Sequence, residues 1–205
     1  MYLATGSTVK VREAMGAGLL GELATPASGP RRVKGTRWGA DNGCFNAATY
    51  KGDEAWFAWL AALDPEGCIF AVAPDVVGDA KATLPRSLPW LAKIRALGMP
   101  AAFVAQNGAE DMDLPWDSFD VLFIGGSTEW KLGTAARVLA AQAKARGKWV
   151  HMGRVNSERR MKYADAIGCD SSDGTFIAFG PDVNLPRTLA WIRGVNDQMT
   201  LEMTA

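Results

Sequence analysis

The sequence predicts an α/β protein with a trimmed (β/α)8 barrel of the TIM type, formed by a single domain. Short apolar runs alternate with polar or glycine-rich turns and helical stretches along the whole chain. Runs such as CIFAVA and VLFIGG are apolar at consecutive positions, which is typical of parallel strands buried on both faces. Polar or glycine-rich residues follow successive strands, and in a barrel these ends converge on one mouth.

The elements follow in order along the chain. The expected strands are Tyr2–Thr5, Trp38–Ala40, Cys68–Ala73, Ala101–Ala105, Val121–Ile124, Trp149–Met152 and Ile167–Cys169. The expected helices are Val11–Leu23, Glu54–Leu63, Pro89–Leu97, Thr134–Arg146, Glu158–Ala166 and Pro186–Gly194. Gly98 and Gly147 follow two of these helices as C-caps. The barrel is expected to span residues 1–195, with a flexible tail over residues 196–205.

A doubly wound sheet is the competing architecture, but such a sheet uses only one crevice for ligands. It would leave most of the functional strand ends unused, so the barrel is favoured. The length of 205 residues lies near the floor of about 200 for such barrels. No Gly-x-Gly-x-x-Gly turn directly follows the first strand, and no phosphate-binding Gly-Lys-Ser/Thr motif occurs. The sequence therefore lacks the usual support for binding of a nucleotide cofactor.

Composition narrows the class of protein further. Lys plus Arg and Asp plus Glu both number 22, so the net charge is zero and a globally basic nucleic-acid binder is excluded. The three scattered cysteines imply no disulfide framework. The sequence has no apolar stretch of the about 18 residues that span a membrane, and its start lacks the pattern of a signal peptide. We therefore expect a cytoplasmic protein without a membrane partner.

Three carboxylates at strand ends, Asp41, Asp75 and Asp173, are the main candidates for chemistry. Each alone could be a turn or capping residue. Gathered around one mouth they would repel one another, so they would need a cation, a basic substrate group or raised pKa values. Mg²⁺ or Ca²⁺ is one answer, and a nucleobase whose N–H groups bind the carboxylates is another. Zinc ligand spacings are absent, and we expect the lone histidine, His151, to serve hydrogen bonding or packing.

The strand ends resemble motifs of the tRNA-guanine transglycosylases. Asp41-Asn-Gly-Cys-Phe45 is similar to their Asp-Ser-Gly-Gly-Phe/Tyr, and Gln106-Asn-Gly to their Gln-Gly-Gly. The segment 119–133 is similar to their strand ending in Ile-Gly-Gly, with Gly125 and Gly126 at the matching positions. Met152-Gly153 resembles their Met-Gly, and GCDSSD at 168–173 resembles their Gly-Ile-Asp-Met-Phe-Asp. These motifs occur in the order of that family and cover about three quarters of the chain.

Two features depart from that family. Its Cys-x-Cys-x-x-Cys zinc site is missing, and its first barrel strand has no counterpart among the expected strands. The chain therefore looks most like the small zinc-free DNA 7-deazaguanine transglycosylases of phages and bacteria, the DpdA type. The resemblance implies an enzyme that replaces guanine in DNA with a 7-deazaguanine such as preQ0, with no cofactor and no metal.

The resemblance also implies roles for individual residues. Asp173 would be the nucleophile and Asp41 the general acid and base, while Asp170 is an alternative nucleophile because the same motif holds both carboxylates. Asp75 would bind the guanine edge, and Gln106 with the Gly125–Gly126 backbone would hold the O6 side. Phe45 and Met152 would sandwich the ring, beside Gly153.

A polynucleotide substrate requires local positive charge. We expect it from two basic groups beside the site motifs: Arg31, Arg32, Lys34 and Arg37, then Arg154, Arg159, Arg160 and Lys162. The sequence leaves open DNA or tRNA as the polymer and a homodimer or an accessory protein as partner. It also leaves open two other functions, a metal-dependent barrel lyase or hydrolase and a nucleobase-binding subunit that depends on a partner for activity.

Overall fold

A computed structural model describes residues 1–28 and 32–204, with the side chains of residues 198–204 left undescribed. Eight parallel strands pair in sequence order, and the last pairs with the first to close a barrel. The strands are β1 Tyr2–Ala4, β2 Gly21–Ala24, β3 Trp38–Ala40, β4 Cys68–Val72, β5 Ala101–Ala105, β6 Val121–Ile124, β7 Trp149–Met152 and β8 Ser171–Asp173. The predicted single-domain (β/α)8 barrel is confirmed.

Helices cover the outside of the barrel. They are α1 Val9–Gly16, α2 Asp53–Ala61, α3 Ala80–Ala96, α4 Thr128–Lys131, α5 Thr134–Ala145, α6 Glu158–Ala166 and α7 Pro181–Thr204. The β5–β6 connection contains only 3-10 turns, and so does the described part of the β2–β3 connection. These short crossovers explain how about 200 residues suffice for a complete barrel.

Strand β2 is missing from the expected elements, because the helix expected over Val11–Leu23 covers three of its four residues. That helix ends at Gly16, and the chain turns at Gly18, whose φ is +73°. Glu22 is a charged residue within β2, and it interrupts the apolar pattern that would otherwise predict a strand. Its buried carboxylate faces outward and accepts the backbone N–H of Val33 at 2.9 Å.

The last strand was predicted at Ile167–Cys169 and instead lies at Ser171–Asp173. The sequence of β8 is Ser-Ser-Asp, which has no apolar residue, although all three residues are buried. Hydrogen bonds to neighbouring strands replace apolar contacts in this strand. The last helix continues to Thr204, and the flexibility expected for residues 196–205 stays a prediction, with Ala205 outside the described residues.

Side chains alternate between two cores along the strands. One lies inside the barrel and contains Leu3, Leu23, Phe70, Val72, Ala102, Val104, Val121 and Phe123. The larger core lies between the strands and the helices. Gly39 leaves room inside the barrel, because a Cβ there would lie 2.5 Å from the Phe70 ring. Among the described residues, no helix is long and apolar enough to cross a membrane.

Candidate functional site

A cavity of about 900 Å³ opens at the carboxyl ends of the strands. Its volume lies near the upper end of the range of about 300–1,000 Å³ that is usual for small-molecule sites. The sequence-predicted residues that line it are Asp41, Phe45, Asp75, Gln106, Gly125, Gly126, Gly153, Arg154 and Asp173. The expectation that the strand ends form one site therefore agrees with the geometry.

Asp173 ends β8 and is only 7% exposed, with its carboxylate in the cavity wall. Its Oδ2 lies 2.9 Å from Nε2 of His151, and its Oδ1 accepts the backbone N–H of Arg154 at 3.2 Å. The backbone N–H of Val155 donates to the Asp173 carbonyl at 2.5 Å. Donors from β7 and its following loop thus hold both the side chain and the backbone of this residue.

A chain of hydrogen bonds leads to Asp173 through the barrel interior. Trp149 Nε1–H can only donate, and it donates to Ser171 Oγ at 2.8 Å. The Ser171 hydroxyl then donates to His151 Nδ1 at 2.8 Å, and His151 Nε2–H donates to Asp173. Burial lowers the pKa of His151, although Asp173 opposes the shift, and this favours the neutral ring. Because the Asp173 carboxylate can only accept, the proton lies on Nε2, and Nδ1 accepts from Ser171. The histidine therefore acts as a fixed donor to the carboxylate.

Asp41 follows β3 directly and lies half-buried in the cavity. Its Oδ1 accepts the backbone N–H of Gly43 at 2.6 Å, an Asx turn that begins the loop over the mouth. Burial raises the pKa of Asp41 to about 6; the Gly43 bond opposes the shift, while the charges of Asp173 and Asp75 add to it. A carboxyl group with such a pKa can hold or release a proton near neutral pH.

Asp75 follows β4 and is 5% exposed. Its oxygens accept Nδ2–H of Asn42 at 2.7 Å and Nε2–H of Gln106 at 2.5 Å. Burial raises its pKa, and the two amide bonds oppose that shift. The amides fix the carboxylate and leave it further lone pairs, so Asp75 can accept N–H groups of a ligand.

Three predicted ligand contacts differ in the structure. Gln106 Oε1 already accepts the backbone N–H groups of Gly78 and Gly126, and Gly125 N–H donates to the Ala105 carbonyl. These groups support Asp75 and the mouth rather than offering free donors to a base. Met152 is fully buried in the outer core, because alternation along β7 turns its neighbours into the barrel. It cannot sandwich a ring in the cavity.

Asp170 is not part of the site. It precedes β8 and so lies at the opposite end of the barrel, where its carboxylate accepts Lys144 Nζ–H at 2.7 Å and the backbone N–H of Val150 at 2.8 Å. Of the two carboxylates in the GCDSSD motif, only Asp173 lines the cavity.

The first basic group also lies at that opposite end. Arg32 stacks over Trp38 at 4.0 Å and donates to carbonyls just before β4. The Arg37 guanidinium lies 6.0 Å from the Trp149 ring, at the start of β7. Lys34 is exposed in the same loop, and Arg31 lies outside the described residues. A loop that precedes a strand reaches the amino end of the barrel, so these residues do not flank the mouth.

The second basic group begins at the mouth. Arg154 has a φ of +61°, donates to the Gly126 carbonyl, and places its guanidinium 4.8 Å from the ring centre of Phe45. Phe45 is 64% exposed, so its ring lies on the rim. Arg160 donates to the Arg154 carbonyl at 3.3 Å, and Arg159 is exposed on α6.

The hydrogen bonding expected of His151 agrees with the structure, although its partner Asp173 was not foreseen. Sequence reasoning missed the amide of Asn42, which lines the cavity, and the buried Lys131 behind it. The alternation His151–Met152–Gly153 along β7 was a usable signal for the inward histidine. Among the described residues, no group of three or more His, Cys, Asp or Glu side chains is arranged to hold a metal ion.

Comparisons with known proteins show the fold. No protein-family model matches the chain, and no curated protein is similar to it in sequence. The structure is similar to 3-hexulose-6-phosphate synthase from Salmonella typhimurium, with a TM-score of 0.56, 12% identity, and coverage of 96% of this chain and 98% of that one. The Bacillus subtilis YkuI protein, which has an EAL domain, matches with a TM-score of 0.46 and 12% identity, and the match covers 96% of this chain and 51% of that one. The site itself must therefore carry the functional argument.

Proposed function

We propose that this chain is a base-exchange transglycosylase that replaces guanine in DNA with a 7-deazaguanine through a covalent Asp173 intermediate. The observation that carries the proposal is the pairing of two differently held carboxylates at one mouth. Asp173 accepts two N–H donors, whereas Asp41 accepts one and has a pKa of about 6. Unequal environments of this kind separate a nucleophile from an acid and base.

In the first step, an oxygen of the Asp173 carboxylate forms a bond to C1′ of the target nucleotide. The C1′–N9 bond breaks, its electron pair leaves with guanine, and protonated Asp41 gives the departing base a proton. His151 and the Arg154 backbone N–H hold the carboxylate in place during this attack. The step parallels nucleophilic capture of an oxocarbenium-like centre by retaining glycosidases.

In the second step, ionised Asp41 takes the N9 proton of the incoming 7-deazaguanine. N9 then attacks C1′, and the bond to Asp173 breaks with its electron pair returning to the carboxylate. Two inversions restore the original configuration at C1′. Asp41 must change charge in each step, which suits a group that titrates near neutral pH.

Recognition of a guanine-like edge is assigned to Asp75. The N1–H and 2-amino groups of that edge are donors, and a fixed carboxylate is their natural acceptor. Because Asp75 is recessed and already oriented by two amides, little rearrangement is needed on binding. Phe45 offers an exposed ring on the rim for stacking.

A nucleotide must leave the duplex, or be single-stranded, before its C1′ can reach Asp173 in the cavity wall. Arg154, Arg159 and Arg160 supply positive charge on the mouth side of the barrel, where phosphates of the flipped strand would pass. Arg32 and Arg37 at the other end take no part in this proposal.

The test is incorporation of labelled guanine or preQ0 into DNA and, separately, into tRNA. The chain offers a matched pair of variants, Asp173→Asn and Asp170→Asn, from the two ends of one strand. We expect label in DNA with the wild type and the Asp170 variant, and a loss of at least about 10³-fold with the Asp173 variant.

A denaturation-stable adduct between DNA and the wild-type protein, absent in Asp173→Asn, would report the covalent step. Label in tRNA alone would retain the chemistry and overturn the choice of DNA. Binding of a deazaguanine without exchange would favour a partner-dependent subunit, and activity abolished by a chelator and restored by Mg²⁺ would favour the metal-dependent alternative.

A further inference from the structure

Lys131 is a fully buried lysine behind the cavity wall. It ends α4, is 1% exposed, and does not line the cavity. Its Nζ donates to the Gly153 carbonyl at 2.6 Å. Burying an ammonium group is costly, so a lysine at such a position needs a specific reason.

That reason lies in the peptide group between Gly153 and Arg154. The carbonyl of this peptide accepts Lys131, and its N–H donates to Oδ1 of Asp173 at 3.2 Å. Because a trans peptide is planar, the two groups point in opposite directions and move together. The lysine therefore fixes, from behind, the same unit that holds the proposed nucleophile from the front.

The conformation of this turn is strained and depends on its neighbours. Arg154 has a φ of +61°, which is uncommon for a residue with a side chain. Gly153 has no room for a side chain, since a Cβ would lie 2.7 Å from the Phe123 ring. Without an anchor on its carbonyl, rotation of the peptide would turn the N–H away from Asp173.

We propose that Lys131 is a positioning residue whose positive charge keeps the 153–154 peptide oriented toward Asp173. A charged donor makes a hydrogen bond about twice as strong as a neutral one, so losing the charge weakens the anchor. The consequence for activity rests on the proposed function, whereas the orientation of the peptide does not.

Burial and the charged groups around Lys131 determine the pH at which the lysine loses its positive charge. Burial and the neighbouring Arg154 lower its pKa to about 7, with Arg160 acting in the same direction and Asp173 opposing it. The ammonium form is thus present below about pH 7 and is lost above it. His151 also interacts with Lys131, and burial lowers the pKa of His151.

The first test is NMR of the Arg154 backbone amide in ¹⁵N-labelled protein between pH 5.5 and 8.5. In the wild type we expect its shift to change with a midpoint near the Lys131 pKa of about 7. In Lys131→Met, which keeps the length of the side chain without the charge, this step should disappear. The same step in the Met variant would overturn the proposal, since other groups would then cause it.

The second test is the pH profile of base exchange, with thermal melts of both proteins as the folding control. We expect kcat to fall about 10- to 100-fold in Lys131→Met, with KM changed less than about threefold. The step of the alkaline decline near pH 7 should vanish, while the decline that follows from the Asp41 pKa of about 6 should remain. Lys144→Met, which removes a lysine at the other end of the barrel, is the matched control.

The two tests can refute the positioning role and the proposed function independently of each other. An unchanged profile in a folded Lys131→Met enzyme would refute the positioning role. If the wild type exchanges no base at all, the proposed function fails, and the amide titration still decides whether Lys131 holds the peptide.

Discussion

Replacing Asp41 with asparagine should stabilise the protein at neutral pH while abolishing exchange. The pKa of Asp41 is raised from 3.8 to about 6, chiefly because burial disfavours the charged form. Asparagine is close in shape, and its Oδ1 can still accept the Gly43 N–H that begins the loop. The substitution therefore removes the ionisation of the side chain and little else.

The size of the effect follows from linkage. The unfolded carboxyl ionises near pH 4, but the folded one only near pH 6, so the free energy of unfolding falls as pH rises through this window. A shift of this size corresponds to about 3 kcal/mol, and screening at a half-buried group reduces it to about 1–3 kcal/mol. For a chain of this length, we expect a Tm increase of about 3–10 °C above pH 7.

Thermal melts of the wild type and Asp41→Asn from pH 4 to pH 8 measure this difference. The two Tm values should converge as the pH falls toward 4, where the folded carboxyl is protonated and the unfolded one is about half protonated. Asp113→Asn, at an exposed position, controls for the loss of one negative charge. A Tm difference that does not change with pH, or a wild type more stable at pH 7.5, would refute the assignment of Asp41 as a proton-holding group.

Three further variants test how the site is built. Gly153→Ala places a Cβ 2.7 Å from the Phe123 ring, so we expect the free energy of unfolding in urea to fall by about 1–3 kcal/mol and most of the exchange activity to be lost. At Gly194 nothing lies within 4 Å of an added Cβ, so Gly194→Ala should lower neither quantity. Met152→Leu should keep kcat/KM within about threefold of the wild type, because the Met152 side chain lies in the outer core. A larger loss of kcat/KM would indicate that Met152 contacts the substrate in the cavity. Trp149→Phe removes the indole N–H at the foot of the chain to the nucleophile and should lower kcat without raising KM, as measured by steady-state exchange.

The gathering of carboxylates could be predicted from the sequence because parallel strands place their carboxyl ends at one edge. Asp41 and Asp75 directly follow apolar runs, so their positions at the mouth required no tertiary information. Asp173 was located by its motif, whereas the strand that carries it has no apolar residue and was placed too early. A displacement of a few residues moves a side chain from one end of the barrel to the other, which is why Asp170 remained an alternative.

Other features of the site depend on tertiary contacts. Arg32 and Arg37 precede β3, and topology alone sends them to the amino end, so that error came from reading proximity in sequence as proximity in space. No local sequence pattern predicts the burial of Lys131, because its ammonium group donates to the carbonyl of Gly153, which lies 22 residues further along the chain. Its role becomes visible only when both atoms of the 153–154 peptide are followed to their partners.

In the proposed mechanism, strand β7 and its loop decide which carboxylate attacks. His151 projects inward from the strand, and the next inward position is Gly153, whose peptide to Arg154 supplies the second donor to Asp173. N–H donors stabilise a carboxylate as an anion and orient it, and Asp41 across the mouth has only the donor of its own turn. The division that we propose between nucleophile and acid therefore rests on the donors and not on the two aspartates themselves. Removing the β7 donors should impair attack at C1′ more than it impairs binding of the base at Asp75.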